Sequence, residues 1–206
     1  MPMTRLTMSG DIGGISINST VTRTADGQIG HDVTLPAAVA GTVSSYSAGP
    51  PESWTLNLPG HALAINDIVD VYWSAGRRYG MKVTAVVADD VTVEDGPNAG
   101  GDSVPTTTGT AVTASRQLTI DTDFNGDLLA AIGALATTRA HLGFFDTGGL
   151  LALSLDLAAS EVWHWLSGGT ATNPLAGKTV DYVVATQADS AASANLKLGI
   201  LYDSTV

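Results

Sequence analysis

The chain of 206 residues predicts a mainly β protein, a sandwich- or barrel-like arrangement of antiparallel sheets with one short helix at about residues 124–138. Three observations carry that expectation. Apolar residues recur every second position in short runs, the signature of half-buried strands. Turn-forming residues punctuate those runs at short intervals. Charged residues make up only 14% of the chain, against about 25% in an average domain. Ser and Thr, roughly a fifth of the residues, fill the gap and favour strands over helices.

From the N-terminus, Ile15–Ile17 and His31–Leu35 read as strands, separated by the turn dipeptide Asp26–Gly27. The Ala/Gly/Thr-rich stretch from Ile15 to Thr42 suits an extended arm, and Met1 to Gly30 is the segment expected to extend. Gly41–Tyr46 forms a weaker strand that must end at Gly49–Pro50–Pro51, because proline cannot donate to a ladder. In Ser53–Leu58, Trp54, Leu56 and Leu58 share one face. Val69, Val71 and Trp73 repeat the pattern with Asp70 and Tyr72 opposite, and Tyr79–Val87 follows across a Gly-containing link. With Val91–Glu94 these runs predict a three-stranded meander whose first hairpin carries Arg77 and Arg78 at a basic tip.

The stretch at about 95–110 is rich in Gly, Pro and Thr and nearly devoid of apolar side chains. It marks a boundary between residues 1–112 (arm plus β-rich region) and residues 113–206 (β-rich region with the helix). A single domain carrying a long surface loop is the other reading. After a strand at Gln117–Ile120, Leu128, Ile132 and Leu135 fall at i, i+4 and i+7 among alanines, which predicts the helix. A second hairpin pairs His141–Phe145 with Leu151–Leu157 around Asp146–Gly149, and Val162–Leu166, Val180–Thr186 and Leu196–Tyr202 complete the strands.

Nine basic against 20 acidic residues leave a net charge of −11. Such a chain repels phosphate backbones and anionic lipids, and its only adjacent basic pair is Arg77–Arg78, so neither nucleic acid nor membrane is an expected partner. The absence of cysteine removes disulfides, thiolate metal sites and a cysteine nucleophile. The sequence opens without the apolar core of a signal peptide, so synthesis in a cytoplasm is expected.

The sharpest local motif is Asp121, Asp123, Asn125 and Asp127 with Gly126 at the sixth place, the first half of a calcium loop. Its twelfth position is Ile132 rather than a bidentate Glu, so a strand-to-helix turn capped by Asp and Asn is the simpler reading. His31, His61, His141 and His164 lack metal-ligand spacing. No nucleophile elbow, phosphate loop or dinucleotide fingerprint occurs. These observations point away from an enzyme and from any cofactor. Two features suit interfaces instead: Arg77 and Arg78 flanked by Tyr72 and Tyr79, and Trp163 with Trp165, which a strand would place on one face.

Three segments carry a family resemblance: ISINSTVTRTADGQIGHDVTLPAAVAGT (Ile15 to Thr42), DIVDVYWSAGRRYGMKVTAVVADDVTVEDG (Asp67 to Gly96) and ANLKLGILYDST (Ala194 to Thr205). In them the chain resembles virion structural proteins of tailed bacteriophages, especially the small β-rich proteins that decorate or cement the capsid. The resemblance implies a non-enzymatic homo-oligomer, often a trimer, bound to the major capsid protein on the virion surface. A tail, neck or baseplate component is the alternative within that class. A carbohydrate- or receptor-binding β-sandwich, with Trp163 and Trp165 as a stacking platform, is the alternative outside it.

Overall fold

Every strand pairing described in the computed structural model is antiparallel, as the short alternating runs require. The structure describes residues 3–12, 15–24, 27–121, 127–135, 138–146, 148–158, 162–166 and 180–203. Side chains are described within 32–120, 138–158 and 180–199, apart from residues 147 and 152.

The chain forms two compact units, one of Met1–Leu35, Thr119–Ala185 and Ala194–Val206, the other of Pro36–Leu118 and Thr186–Ser193. The stretch at 95–110 lies inside the second unit, its first part in a strand.

In the first unit, β1 (Met3–Ile12) and β2 (Ile15–Thr24) form a two-stranded ribbon. Within the segment expected as an extended arm, residues 3–12 and 15–24 are therefore paired antiparallel strands. Its register pairs Leu6 with Val21 and Ile12 with Ile15, so these residues share one face with Met8 and Ile17. Thr7, Thr20, Ser9 and Asn18 share the other. A ribbon with one apolar face needs a layer to lie against, and it approaches β3 (Gly27–Leu35), β11 (Asp127–Leu135) and β16 (Ala194–Asp203). One four-stranded sheet runs β14-β11-β16-β3, with β14 at Val162–Leu166. The other runs β10-β15-β12-β13, from β10 (Leu118–Asp121), β12 (Ala140–Phe145), β13 (Leu151–Leu157) and β15 (Tyr182–Gln187).

The expected helix at 124–138 is corrected by β11. Residues 127–135 are a strand hydrogen-bonded to β14 on one side and β16 on the other. A run such as Leu-Leu-Ala-Ala-Ile-Gly-Ala-Leu is apolar almost throughout, and its helical spacing is met by default. Gly133 weakens a helix, and a central strand covered on both faces also reads as a continuous apolar run. Residues 124–126 and 136–137 of the expected helix lie outside the described residues.

The second unit is a closed six-stranded barrel in the order β4-β5-β8-β7-β6-β9. Its strands are β4 (Val39–Ser47), β5 (Ser53–Asn57), β6 (Ile68–Trp73), β7 (Gly76–Val87), β8 (Asp90–Gly101) and β9 (Ala111–Arg116). The expected meander is its β6-β7-β8 part. Closure removes the exposed edges that open sheets must protect. Val43, Trp54, Leu56, Leu58, Val69, Val71, Met81 and Val83 are among the side chains that fill its core. Two close approaches need glycine. A Cβ on Gly41 would lie 1.9 Å from the Asn57 carbonyl oxygen, where β4 meets β5. Gly80, at φ 71°, would clash with the Asn98 carbonyl at 2.9 Å, because residues 96–99 fold back over a bulge in the β7–β8 ladder.

Candidate functional site

A buried polar cluster in the barrel unit surrounds Asp70. Alternation places Asp70 and Tyr72 opposite the core face of β6, yet both are buried, and a register shift between Val69 and Val71 accompanies them. The Asp70 carboxylate accepts from the Gly80 amide at 2.9 Å, from Gln117 Nε2 at 3.1 Å and from Thr186 Oγ1 at 2.5 Å. Thr186 Oγ1 also lies 2.7 Å from the Tyr72 hydroxyl. A buried carboxylate is tolerable only with such a complement of donors. The cluster joins β6, the β7 bulge, Gln117 just after β9 and the returning segment Thr186–Ser193. That segment is held further by Gln187 Nε2 on the Pro36 and Ala192 carbonyls, by the Ala38 amide on the Asp189 carbonyl and by Thr113 on the Ala188 carbonyl.

Arg77 and Arg78 lie in β7 rather than in the exposed turn, which is Ser74–Ala75. Arg77 is 8% exposed, with its guanidinium carbon 5.1 Å from the centre of the Tyr79 ring. Its amide donates to Asp102 Oδ2, and its carbonyl accepts from the Asp102 amide at 2.8 Å. Arg78 grips Asp95 with two donors, Nε at 2.9 Å from Oδ1 and Nη2 on Oδ2, while Nη1 reaches the Gly101 carbonyl at 3.3 Å. The bond to Asp95 raises the Arg78 pKa and holds the guanidinium charged. The structure brings Arg77, Arg78 and Tyr79 together on β7 and places Tyr72 in the buried Asp70 cluster instead.

In the first unit, β12 and β13 place His141, Ser154 and Asp156 on one face. His141 is paired in register with Asp156, and its Nε2 lies 2.9 Å from Ser154 Oγ. A hydroxyl, an imidazole and a carboxylate in this order invite a nucleophile reading. However, His141 is buried, and a Cβ on Gly143, the partner of Ser154, would meet Phe145, Val184 and Leu151 at 3.0–3.2 Å. The space over Gly143 is already filled, while Ser154 is half-buried and Asp156 exposed, and the His141–Ser154 contact is a hydrogen bond across the ladder. Next to it Phe145 and Tyr182 stack with ring centres 5.0 Å apart.

Trp163 and Trp165 sit in β14, at the edge of its sheet, opposite Gly133 and Ala131 of β11. Their side chains, like that of Asp121 and the calcium-loop positions Asp123, Asn125 and Asp127, lie outside the described residues. Among the described residues no group of three or more His, Asp or Glu is placed to hold a metal.

Sequence reasoning did not single out Asp70, Gln117, Thr186 or the His141–Ser154 pair. The alternation of Ala152, Ser154 and Asp156 against His141 and Gly143 was the available signal for the last. Against known protein families, curated proteins and solved structures, the chain matches none.

Proposed function

We propose that this protein is a non-catalytic structural component that binds its neighbours over broad surfaces, most concretely a decoration protein on the outer face of a phage capsid. The observation that carries the reading is the filled barrel. Its lumen is occupied by Trp, Leu, Met and Val side chains, so the unit meets other molecules with its outside. On β4, β5 and β9 that outside is carried by Ser- and Thr-rich strands with few charges, which pair and pack against another subunit at little desolvation cost. The major capsid protein and further copies of this chain are the proposed partners, after synthesis in the host cytoplasm.

Quantitative mass spectrometry of purified virions tests this. Copies in the number of capsid lattice positions support decoration, a few copies indicate a neck, tail or baseplate part, and absence from particles overturns the virion reading.

The place of β14 favours a second reading, glycan or receptor binding. Trp163 and Trp165 are two residues apart on an edge strand and so fall on one side of the sheet. Glycan-array binding that is lost in Trp163→Ala supports it.

A further inference from the structure

Among the described residues, three large apolar side chains are exposed: Ile65 at 57%, Val87 at 71% and Leu150 at 63%. The first two belong to one end of the barrel. Ile65 lies in the loop between β5 and β6, and Val87 ends β7 at its tight turn into β8. The loop and the turn are stitched together. The Leu58 amide donates to the Asp89 carbonyl at 2.7 Å, and the Asn66 amide donates to the Val83 carbonyl at 2.9 Å. His61 Nδ1 accepts from the Leu63 amide at 3.1 Å, so the ring carries its proton on Nε2 and donates to the Ala88 carbonyl at 3.0 Å.

A second, independent observation falls on the same two places. The two non-glycine residues with positive φ among the described residues are Asn66, at 77°, and Ala88, at 52°. Each directly follows one of the exposed apolar residues. Asn66 is third in the turn closed by the Asp67 amide on the Ala64 carbonyl, which puts Ile65 at its apex. Ala88 has no side-chain hydrogen bond to offset a left-handed backbone. Asn66 adopts this conformation readily at its turn position, whereas Ala88 is strained, and strain beside an exposed apolar tip marks a surface shaped for contact rather than for stability.

We propose that this end of the barrel is a docking surface, in which Ile65 and Val87 enter apolar sockets of a partner protein whose rim carries Lys and Arg. Charge selects the partner. Asp89 and Asp90 follow Val87 after Ala88, and Asp67 lies two residues beyond Ile65; against these three carboxylates stand Arg116, 3.9 Å from Asp67, and Lys82, paired in register with Ile68. A second copy docked end to end would set these carboxylates against themselves, and an anionic membrane would be repelled. The assignment draws on the structural reading only in taking a protein as occupant, and it stands or falls apart from the virion question.

The test is a nuclear magnetic resonance titration of the full chain with a synthetic peptide of alternating Lys and Leu, and separately with its Glu/Leu counterpart. The Lys/Leu peptide is expected to shift the amides of 61–67 and 86–90, with affinity falling about tenfold in Val87→Ser or Ile65→Ser and falling as salt rises. Both substitutions are at exposed sites and leave the fold intact. Equal binding of the Glu/Leu peptide, unchanged affinity in both variants, or shifts centred elsewhere would overturn the proposal. So would concentration-dependent shifts of these amides in the protein alone, which would make the occupant a second copy. Shifts with phosphatidylcholine vesicles but not with the peptide would make it a lipid surface and overturn the proposal as well.

Discussion

Thr186 and Asp70 are 116 residues apart in sequence and share a buried hydrogen bond of 2.5 Å. Together with the Tyr72 hydroxyl on the same Thr186 oxygen, it joins the segment Thr186–Ser193 to the barrel's polar cluster. Removing the carboxylate leaves the Thr186 hydroxyl, Gln117 Nε2 and the Gly80 amide without their acceptor. Asp70→Ala is expected to cost about 1–3 kcal/mol for each buried donor it leaves unpaired, and Thr186→Val about 1–3 kcal/mol. Urea unfolding read by tryptophan fluorescence measures both. A double-mutant cycle between the two sites should show strong non-additivity.

Gly41→Ala is the sharpest steric test of barrel closure. The added methyl would overlap the Asn57 carbonyl oxygen, with Leu58 Cδ2 2.8 Å away. The backbone cannot move aside as a flexible side chain would, so a loss of about 3 kcal/mol is expected. Gly60→Ala makes the contrast: nothing stands within 4 Å of its Cβ, and only its φ of 75° opposes the change, at about 1–2 kcal/mol.

Ala88→Gly should stabilise the protein. A left-handed backbone costs an L-residue about 1–2 kcal/mol, while glycine adds about 0.5–1 kcal/mol of unfolded-chain entropy. A small net gain, visible as a raised denaturation midpoint, is the expected outcome. Loss of stability would mean that the turn does not strain alanine.

Alkaline pH acts on Tyr182. Burial raises its pKa above 10.0, and the nearby Asp181 and Asp146 carboxylates raise it further. The fold thus favours the neutral phenol. As pH climbs above 10.0 the unfolded chain ionises first, and the stabilising contribution fades until the folded pKa is passed. Unfolding curves should lose stability in that window, and Tyr182→Phe should lose less. Ultraviolet titration of the phenols in the folded protein should find this tyrosine ionising late.

Most strands were legible because one-sided burial imprints a period of two. Ser53–Leu58 alternates cleanly, and its pattern matches the side of β5 that faces the barrel core. β6 was half legible: Val69 and Val71 fall on the core face as read, but Asp70 and Tyr72 are buried too, by chain that returns more than a hundred residues later. No local pattern encodes such a partner. The error at Asp127–Leu135 has the opposite origin, since a run without polar residues fits either period. The Arg77–Arg78 pair was visible as charge, but its partners Asp95 and Asp102 come from the strand and loop that β8 and its bulge bring alongside. Spacing in sequence does not reveal them.

The returning segment also sets an order of events during translation. All six barrel strands have been synthesised once Arg116 is made, so the barrel can close before the chain is complete. Asp70 must then wait for roughly seventy further residues before Thr186 is synthesised. Until then a carboxylate destined for the interior lacks one of its donors, and the nascent protein carries its weakest point at the place where the finished one is most tightly locked.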